Sequence, residues 1–107
     1  ALALRRSPTS SLEQQVFVTV ELESHRAESF QLFERTVARM DAVTGCWAIG
    51  GGYDYLMQVF AEDIAAFQSL MDGLLESRAG LRRYYSYIVT KPVKADPPAM
   101  GLLRGAP

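Results

Sequence analysis

The sequence predicts an α+β fold made of two β-α-β halves. Four stretches either alternate with the period of two typical of strands or are short apolar runs bounded by turn residues. Two longer stretches repeat apolar residues at helical spacing, and each lies on the connection between two strands. Right-handed crossovers place both helices on the same face of a four-stranded antiparallel sheet. The predicted order is therefore β-α-β-β-α-β, the ferredoxin-like arrangement.

Length and composition predict a single domain. The 107 residues, of which 49% are hydrophobic and 21% charged, suffice for one modest core. The net charge of −1 gives no basic surplus for holding nucleic acid, and no apolar run approaches the roughly 20 residues that span a bilayer. Residues 1–14 are predicted to be a tail or linker and residues 95–107 a C-terminal tail, because both are rich in turn-forming residues. The compact domain is predicted at 15–94.

The first half of the domain carries one strand and one helix. Apolar residues, several of them β-branched, alternate with other residues over 16–23, which predicts the first strand. Ser24 is a candidate N-cap for the helix that follows. Within Ala27–Met40 the apolar positions step by three, four and three residues, which predicts a helix with one buried stripe.

The second half begins with a hairpin. Cys46–Ile49 and Tyr55–Phe60 are predicted as the second and third strands, joined by a glycine-rich turn. Asp63 can cap the second helix, whose apolar residues recur at helical spacing, and Gly80 ends that segment. Tyr84–Val89 is predicted as the fourth strand.

The turn Gly50-Gly51-Gly52-Tyr53-Asp54 is the most informative segment of the chain. Three consecutive glycines permit positive φ and leave amide N–H groups uncovered by side chains. Such a turn can hold a small zwitterion, with the amides for its carboxylate and the carboxylate of Asp54 for its ammonium. The alternative is a hairpin turn whose glycines serve geometry alone.

The second face of the sheet is predicted to be unusually aromatic. Phe17, Tyr85 and Tyr87 lie on it, and Trp47 points away from its neighbour Cys46 because side chains alternate along a strand. A stable monomer seldom exposes such a surface, so we expect it to pack against a second copy with two-fold symmetry. Two alternatives remain open: the tails fold back over this face, or Trp47 lines an effector pocket.

Several segments resemble the C-terminal domain of the Lrp/AsnC, or feast/famine, transcription regulators. The similar segments are residues 16–23, Phe33-Glu34, residues 46–59, the run from Gly80 to Ser86, and Lys91-Pro92-Val93-Lys94. The turn of glycine, tyrosine and aspartate followed by an apolar strand is the most specific of them. The resemblance covers about residues 15–94.

The resemblance implies a ferredoxin-like domain that forms a dimeric α+β barrel, with assembly to tetramers or octamers in some members. It implies an amino acid or similar effector bound between subunits, and it places Gly51, Tyr53 and Asp54 at ligand-facing positions of the turn. Gly52, which stands where the family often has a polar residue, is a further candidate contact. Ser86 is expected to face the ligand from a neighbouring subunit.

The predicted function is that of a cytoplasmic, non-catalytic regulatory domain without cofactor or metal. Its partners would be further copies of the chain and the effector, and DNA would be reached only through a helix-turn-helix domain that this chain lacks. We expect either a domain cut from a full regulator, which the start at Ala1 favours, or a stand-alone version. His25 is expected to be exposed and Cys46 to be a small buried hydrophobe.

Two alternatives to this function stay open. One is a small cofactor-free dimeric α+β-barrel enzyme of the monooxygenase type, in which aromatic residues line an apolar pocket. Those residues would be Tyr53, Tyr55, Tyr85, Tyr87 and Trp47. The other is an assembly module whose site binds nothing.

Overall fold

A computed structural model describes residues 14–95, and the predicted tails fall almost wholly outside these residues. The sheet order is β2-β3-β1-β4, with every neighbouring pair antiparallel. The ferredoxin-like prediction is therefore confirmed. The six elements, in chain order, are β1 Gln14–Leu22, α1 Ala27–Ala38, β2 Val43–Ala48, β3 Tyr55–Ala61, α2 Ile64–Glu76 and β4 Leu81–Ile88.

Several element boundaries differ from the prediction, by one to three residues. Strand β2 begins at Val43, which pairs with Val59 across a register shift that precedes Gly45. Strand β4 begins at Leu81 because its first residues pair with the end of β1. Helix α1 ends at Ala38, where the next N–H group bonds to carbonyls three and two residues back and tightens the last turn.

One of the two predicted helix caps is wrong. The N-cap residue of α1 is Arg26, with φ −80° and ψ 153°, and its side chain makes no capping bond. Ser24 lies two residues earlier, where its Oγ accepts hydrogen bonds from the Arg26 N–H at 3.3 Å and the Ser29 hydroxyl at 2.9 Å. The prediction for Asp63 is confirmed, since its Oδ1 accepts from the Ala66 N–H at 2.8 Å.

The core lies between the two helices and one face of the sheet. Alternate residues of β1 and β3 point into it, as the period of two requires. Each fully buried side chain of this size contributes about 1.5–3 kcal/mol relative to an exposed one. The largest of them are Phe33, Leu22, Met57, Met71, Leu74, Val16, Val18, Val20 and Val59.

The opposite face of the sheet is aromatic, as predicted. Phe17 pairs with Tyr87, which places the two side chains on the same side of β1 and β4. About half of each of three aromatic residues on this face is exposed in the single chain: 49% of Trp47, 46% of Tyr85 and 54% of Tyr87. We call the surface formed by Phe17, Trp47, Tyr85 and Tyr87 the aromatic face.

Candidate functional site

The loop between β2 and β3 is closed by a backbone hydrogen bond from the Ile49 N–H to the Asp54 carbonyl, 3.0 Å long. Gly51 has φ +107°, a conformation that residues with a Cβ rarely adopt. A Cβ at Gly50, Gly51 or Gly52 would meet no other atom within 4 Å. The glycines therefore leave open space beside an exposed main chain, and only Gly51 is required by the backbone angle.

Asp54 fastens this turn to the end of β1. Its N–H donates to the Val20 carbonyl at 2.9 Å, and its Oδ2 accepts from the Leu22 N–H at 2.9 Å. The same Oδ2 lies 3.0 Å from Nε2 of His25. The acid that the sequence offered for an effector ammonium thus already has two partners within the chain.

His25 belongs to this site, although sequence reasoning gave it no role. Its ring stacks on that of Phe30 in the first turn of α1, with the centroids 5.7 Å apart and the planes at 11°. The side chain is 58% exposed, as expected, whereas that of Asp54 is 21% exposed. No sequence signal pairs the two residues, because 29 positions separate them and only the folded loop brings them together.

Tyr55 links the turn to the core. Its ring lies 4.5 Å from that of Phe33 and 6.2 Å from that of Phe30. Its hydroxyl donates to Glu34 Oε2 at 2.5 Å. Burial, reinforced by this bond to Glu34, raises the pKa of the Tyr55 phenol well above its usual range. The phenol is therefore a neutral hydrogen-bond donor at physiological pH.

Tyr53 turns the other way, toward the aromatic face. Its ring meets the edge of Tyr85 with the centroids 5.9 Å apart and the planes at 80°. Partial burial, followed by the neighbouring phenols, raises the pKa of Tyr53. Beside it the Arg83 Nε lies 3.0 Å from Glu21 Oε1. Adjacent residues of one turn thus reach two different parts of the domain.

Ser86 and Trp47 stand apart from Asp54. Ser86 pairs with Val18 and so lies on the helix side of β4, opposite to Tyr85. Trp47 lies on the aromatic face, with its ring directly over Gly45, where an added Cβ would come within 2.6 Å of Cη2. The structure therefore groups Gly51, Gly52, Tyr53 and Asp54 within one turn, and the predicted ligand role of Ser86 would need a second chain.

Two clefts open elsewhere on the domain. One of about 350 Å³ lies between α1 and β2 and is lined by Glu34, Val37, Ala38, Cys46, Ala48 and Tyr55. Another of about 400 Å³ lies between the start of α1 and the loop before β4. Burial, together with the charge of Glu34, raises the pKa of Cys46 to about 11, so its thiol is a poor nucleophile. The turn residues line neither of these clefts.

The described residues form neither a cluster of metal ligands nor a membrane-spanning helix. Over 14–95, no group of three or more His, Cys, Asp or Glu side chains is arranged to hold a metal ion. The two helices of these residues, α1 and α2, are not long and apolar enough to cross a membrane.

Fold and turn together define a class of protein, the ferredoxin-like module that presents exposed main chain and an acid at one end of its sheet. The family model described as the Lrp/AsnC ligand binding domain matches residues 15–99, most of the chain. The chain belongs to this family, and the resemblance drawn from its sequence is confirmed.

The similar curated proteins are transcription regulators. The transcriptional regulatory protein DoeX of Halomonas elongata is 49% identical over 79 residues, which cover 74% of this chain and 50% of that protein. The DNA-binding transcriptional activator DecR of Escherichia coli K12 is 31% identical over 78 residues, covering 73% of this chain and 51% of DecR. The chain thus spans about half the length of these relatives.

Solved structures agree with this assignment. A transcriptional regulator from Neisseria meningitidis, crystallised as a complex with L-Met, is 27% identical with a TM-score of 0.75, over 91% of this chain and 62% of that one. AsnC of Escherichia coli shares the fold, with a TM-score of 0.70. It is 17% identical, and the match covers 86% of this chain and 59% of that one.

Proposed function

We propose that residues 15–94 sense an amino acid or a similar zwitterion at the turn and thereby control the assembly of a larger transcription regulator. The observation that carries this proposal is the turn itself, in which the uncovered main chain of Gly51 and Gly52 and the carboxylate of Asp54 are separated in sequence only by Tyr53. Exposed amides suit the carboxylate of the ligand, and an acid suits its ammonium. The complex of the Neisseria meningitidis relative with L-Met supports this class of ligand.

The site is proposed to lie between subunits. The turn residues line neither cleft of the single chain, so a second chain would supply the remaining walls. Ser86 is proposed as one contribution from that chain, since it is exposed on β4. An effector at such a site binds one assembly more tightly than another and so shifts the equilibrium between them.

The magnitudes are compatible with regulation. Effector linkage of practical size needs about 1–3 kcal/mol of coupling free energy. One hydrogen bond to a charged group contributes about 1.5–3 kcal/mol, which is sufficient if the bond forms in only one assembly.

The aromatic face is the proposed contact between two copies. Trp47, Tyr85 and Tyr87 are each about half exposed in the single chain and lie on one side of the sheet. Two-fold pairing of this face would bury them and build the dimeric α+β barrel, from which tetramers or octamers can form.

The domain is further proposed to act without catalysis, cofactor or metal, in the cytoplasm. DNA would be contacted through a helix-turn-helix domain elsewhere in a longer protein. The relatives support this role, because both DoeX and DecR are transcription regulators and each is about twice as long as the aligned region.

A thermal-shift screen with the twenty proteinogenic L-amino acids, followed by calorimetric titration of those that stabilise the protein, tests the sensor role. We expect one or a few to bind, and Asp54→Asn to weaken their binding by at least about tenfold while its amide oxygen can still accept from the Leu22 N–H. Asp72→Asn, on the exposed side of α2, is the matched control. Binding to no amino acid, or equal affinity in Asp54→Asn, would overturn the proposal.

A further inference from the structure

We propose that His25 is an internal competitor of the effector: its imidazole holds the place on Asp54 that an effector ammonium would take. This inference rests on the proposed function, and it concerns what limits binding at the same carboxylate. It starts from the 3.0 Å contact between His25 Nε2 and Asp54 Oδ2.

The two hydrogen-bond partners of the Asp54 carboxylate differ in how readily they can leave it. The Leu22 N–H belongs to the backbone at the end of β1, so its 2.9 Å bond persists as long as the strand is formed. The imidazole is a side chain on a loop, and more than half of it faces solvent. His25 is therefore the exchangeable partner of the carboxylate.

The position of the imidazole also controls access. The carboxylate of Asp54 is mostly covered, whereas the ring of His25 is mostly exposed and stacks on Phe30. A cation approaching Oδ2 meets the ring first, because the ring already makes a hydrogen bond to that oxygen. The effector ammonium must displace it, and displacement costs the energy of the existing bond.

Asp54 is the charged side chain that contacts the imidazole. The other charged groups on this loop and the first turn of α1 are Glu23, Arg26 and Glu28, of which Arg26 and Glu28 pair with each other at 3.4 Å. Phe30, which the ring contacts, carries no charge.

The test is calorimetric titration of wild type, His25→Ala and His25→Gln at pH 8 with the amino acids that the thermal screen identifies. We expect His25→Ala to bind about five to ten times more tightly than wild type at pH 8, which corresponds to removing one exposed hydrogen bond. His25→Gln, which keeps a hydrogen-bond donor at this position, should bind like wild type. Arg26→Ala, next to His25 and, within residues 14–95, paired with Glu28, is the control and should behave as wild type.

The outcomes separate the two proposals. Binding that is tighter in His25→Ala than in wild type supports the competitor. Wild-type binding with equal or weaker affinity in His25→Ala overturns the competitor and leaves the sensor role standing. Binding to no variant overturns both. Circular dichroism of each variant monitors the fold, which we expect to persist because His25 is largely exposed.

Discussion

At the scale of single residues, Asp54 is both an anchor and a candidate receptor. Its carboxylate accepts from the Leu22 N–H and contacts His25, so the same oxygen that would meet a ligand also holds β1 to the turn. A carboxylate mostly covered by the protein keeps its hydrogen bonds away from competing water. Substitutions at this position therefore change stability and binding together, and the two effects must be measured separately.

We predict that Asp54→Ala lowers the free energy of unfolding by about 1–3 kcal/mol, because it leaves the Leu22 N–H without its acceptor. Urea denaturation followed by circular dichroism measures the change. Asp54→Asn should lose less than Asp54→Ala, since an amide oxygen can still accept. Equal stability of wild type and Asp54→Ala would show that water replaces the carboxylate at no cost.

The pairing of His25 with Asp54 marks the limit of what the sequence could predict at this scale. Cys46 was expected to be a small buried hydrophobe, and the structure leaves it only partly buried. The acid was identifiable because it follows three glycines and a tyrosine in the chain. The histidine was not, because its contact depends on how the loop after β1 folds back.

At the scale of elements, the faces of the strands were predictable and their ends were not. The alternation along β1 and β3 correctly predicted which of their residues face the core and which face the other side, because the helices bury one face of each strand. The start of β2 was missed because Gly45 and a register shift interrupt its pattern. The predicted cap at Ser24 was wrong because the N-cap position falls at Arg26, and the residue type does not determine the backbone conformation that decides this.

The three glycines of the turn should respond unequally to the same substitution. Gly51→Ala forces a Cβ into φ +107° and should lower the free energy of unfolding by about 1 kcal/mol or more. Gly50→Ala and Gly52→Ala are the matched controls and should be close to neutral, as open space surrounds both positions. Thermal and urea melts of the three variants distinguish these cases. A Gly51→Ala protein as stable as the controls would mean that the turn adopts another conformation.

At the scale of the whole molecule, the domain has a covered face and an open one. Both helices pack on the same side of the sheet and leave the aromatic face without a cover among the described residues. The order of elements predicted this layering, because it fixes the side on which the crossovers lie. The partner that covers the open face was not predictable from one chain, because the same aromatic pattern suits another copy, a returning tail or a ligand.

We predict that the protein is at least dimeric at micromolar concentration and that Tyr87→Glu shifts it to monomers, because a charge would be buried in the paired aromatic face. Light scattering coupled to gel filtration measures the mass. Val93→Glu, at an apolar residue that is 90% exposed and lies beyond the end of β4, is the control and should leave the mass unchanged. A monomeric wild-type protein would contradict the proposed assembly.

Tyr53 and Asp54 are consecutive, yet the phenol touches Tyr85 on the open side of the sheet while the carboxylate reaches the loop that enters α1. A single peptide group therefore connects the two contacts. A rotation of this peptide group on ligand binding would displace the Tyr53 ring and the Asp54 carboxylate together, without any intervening residue.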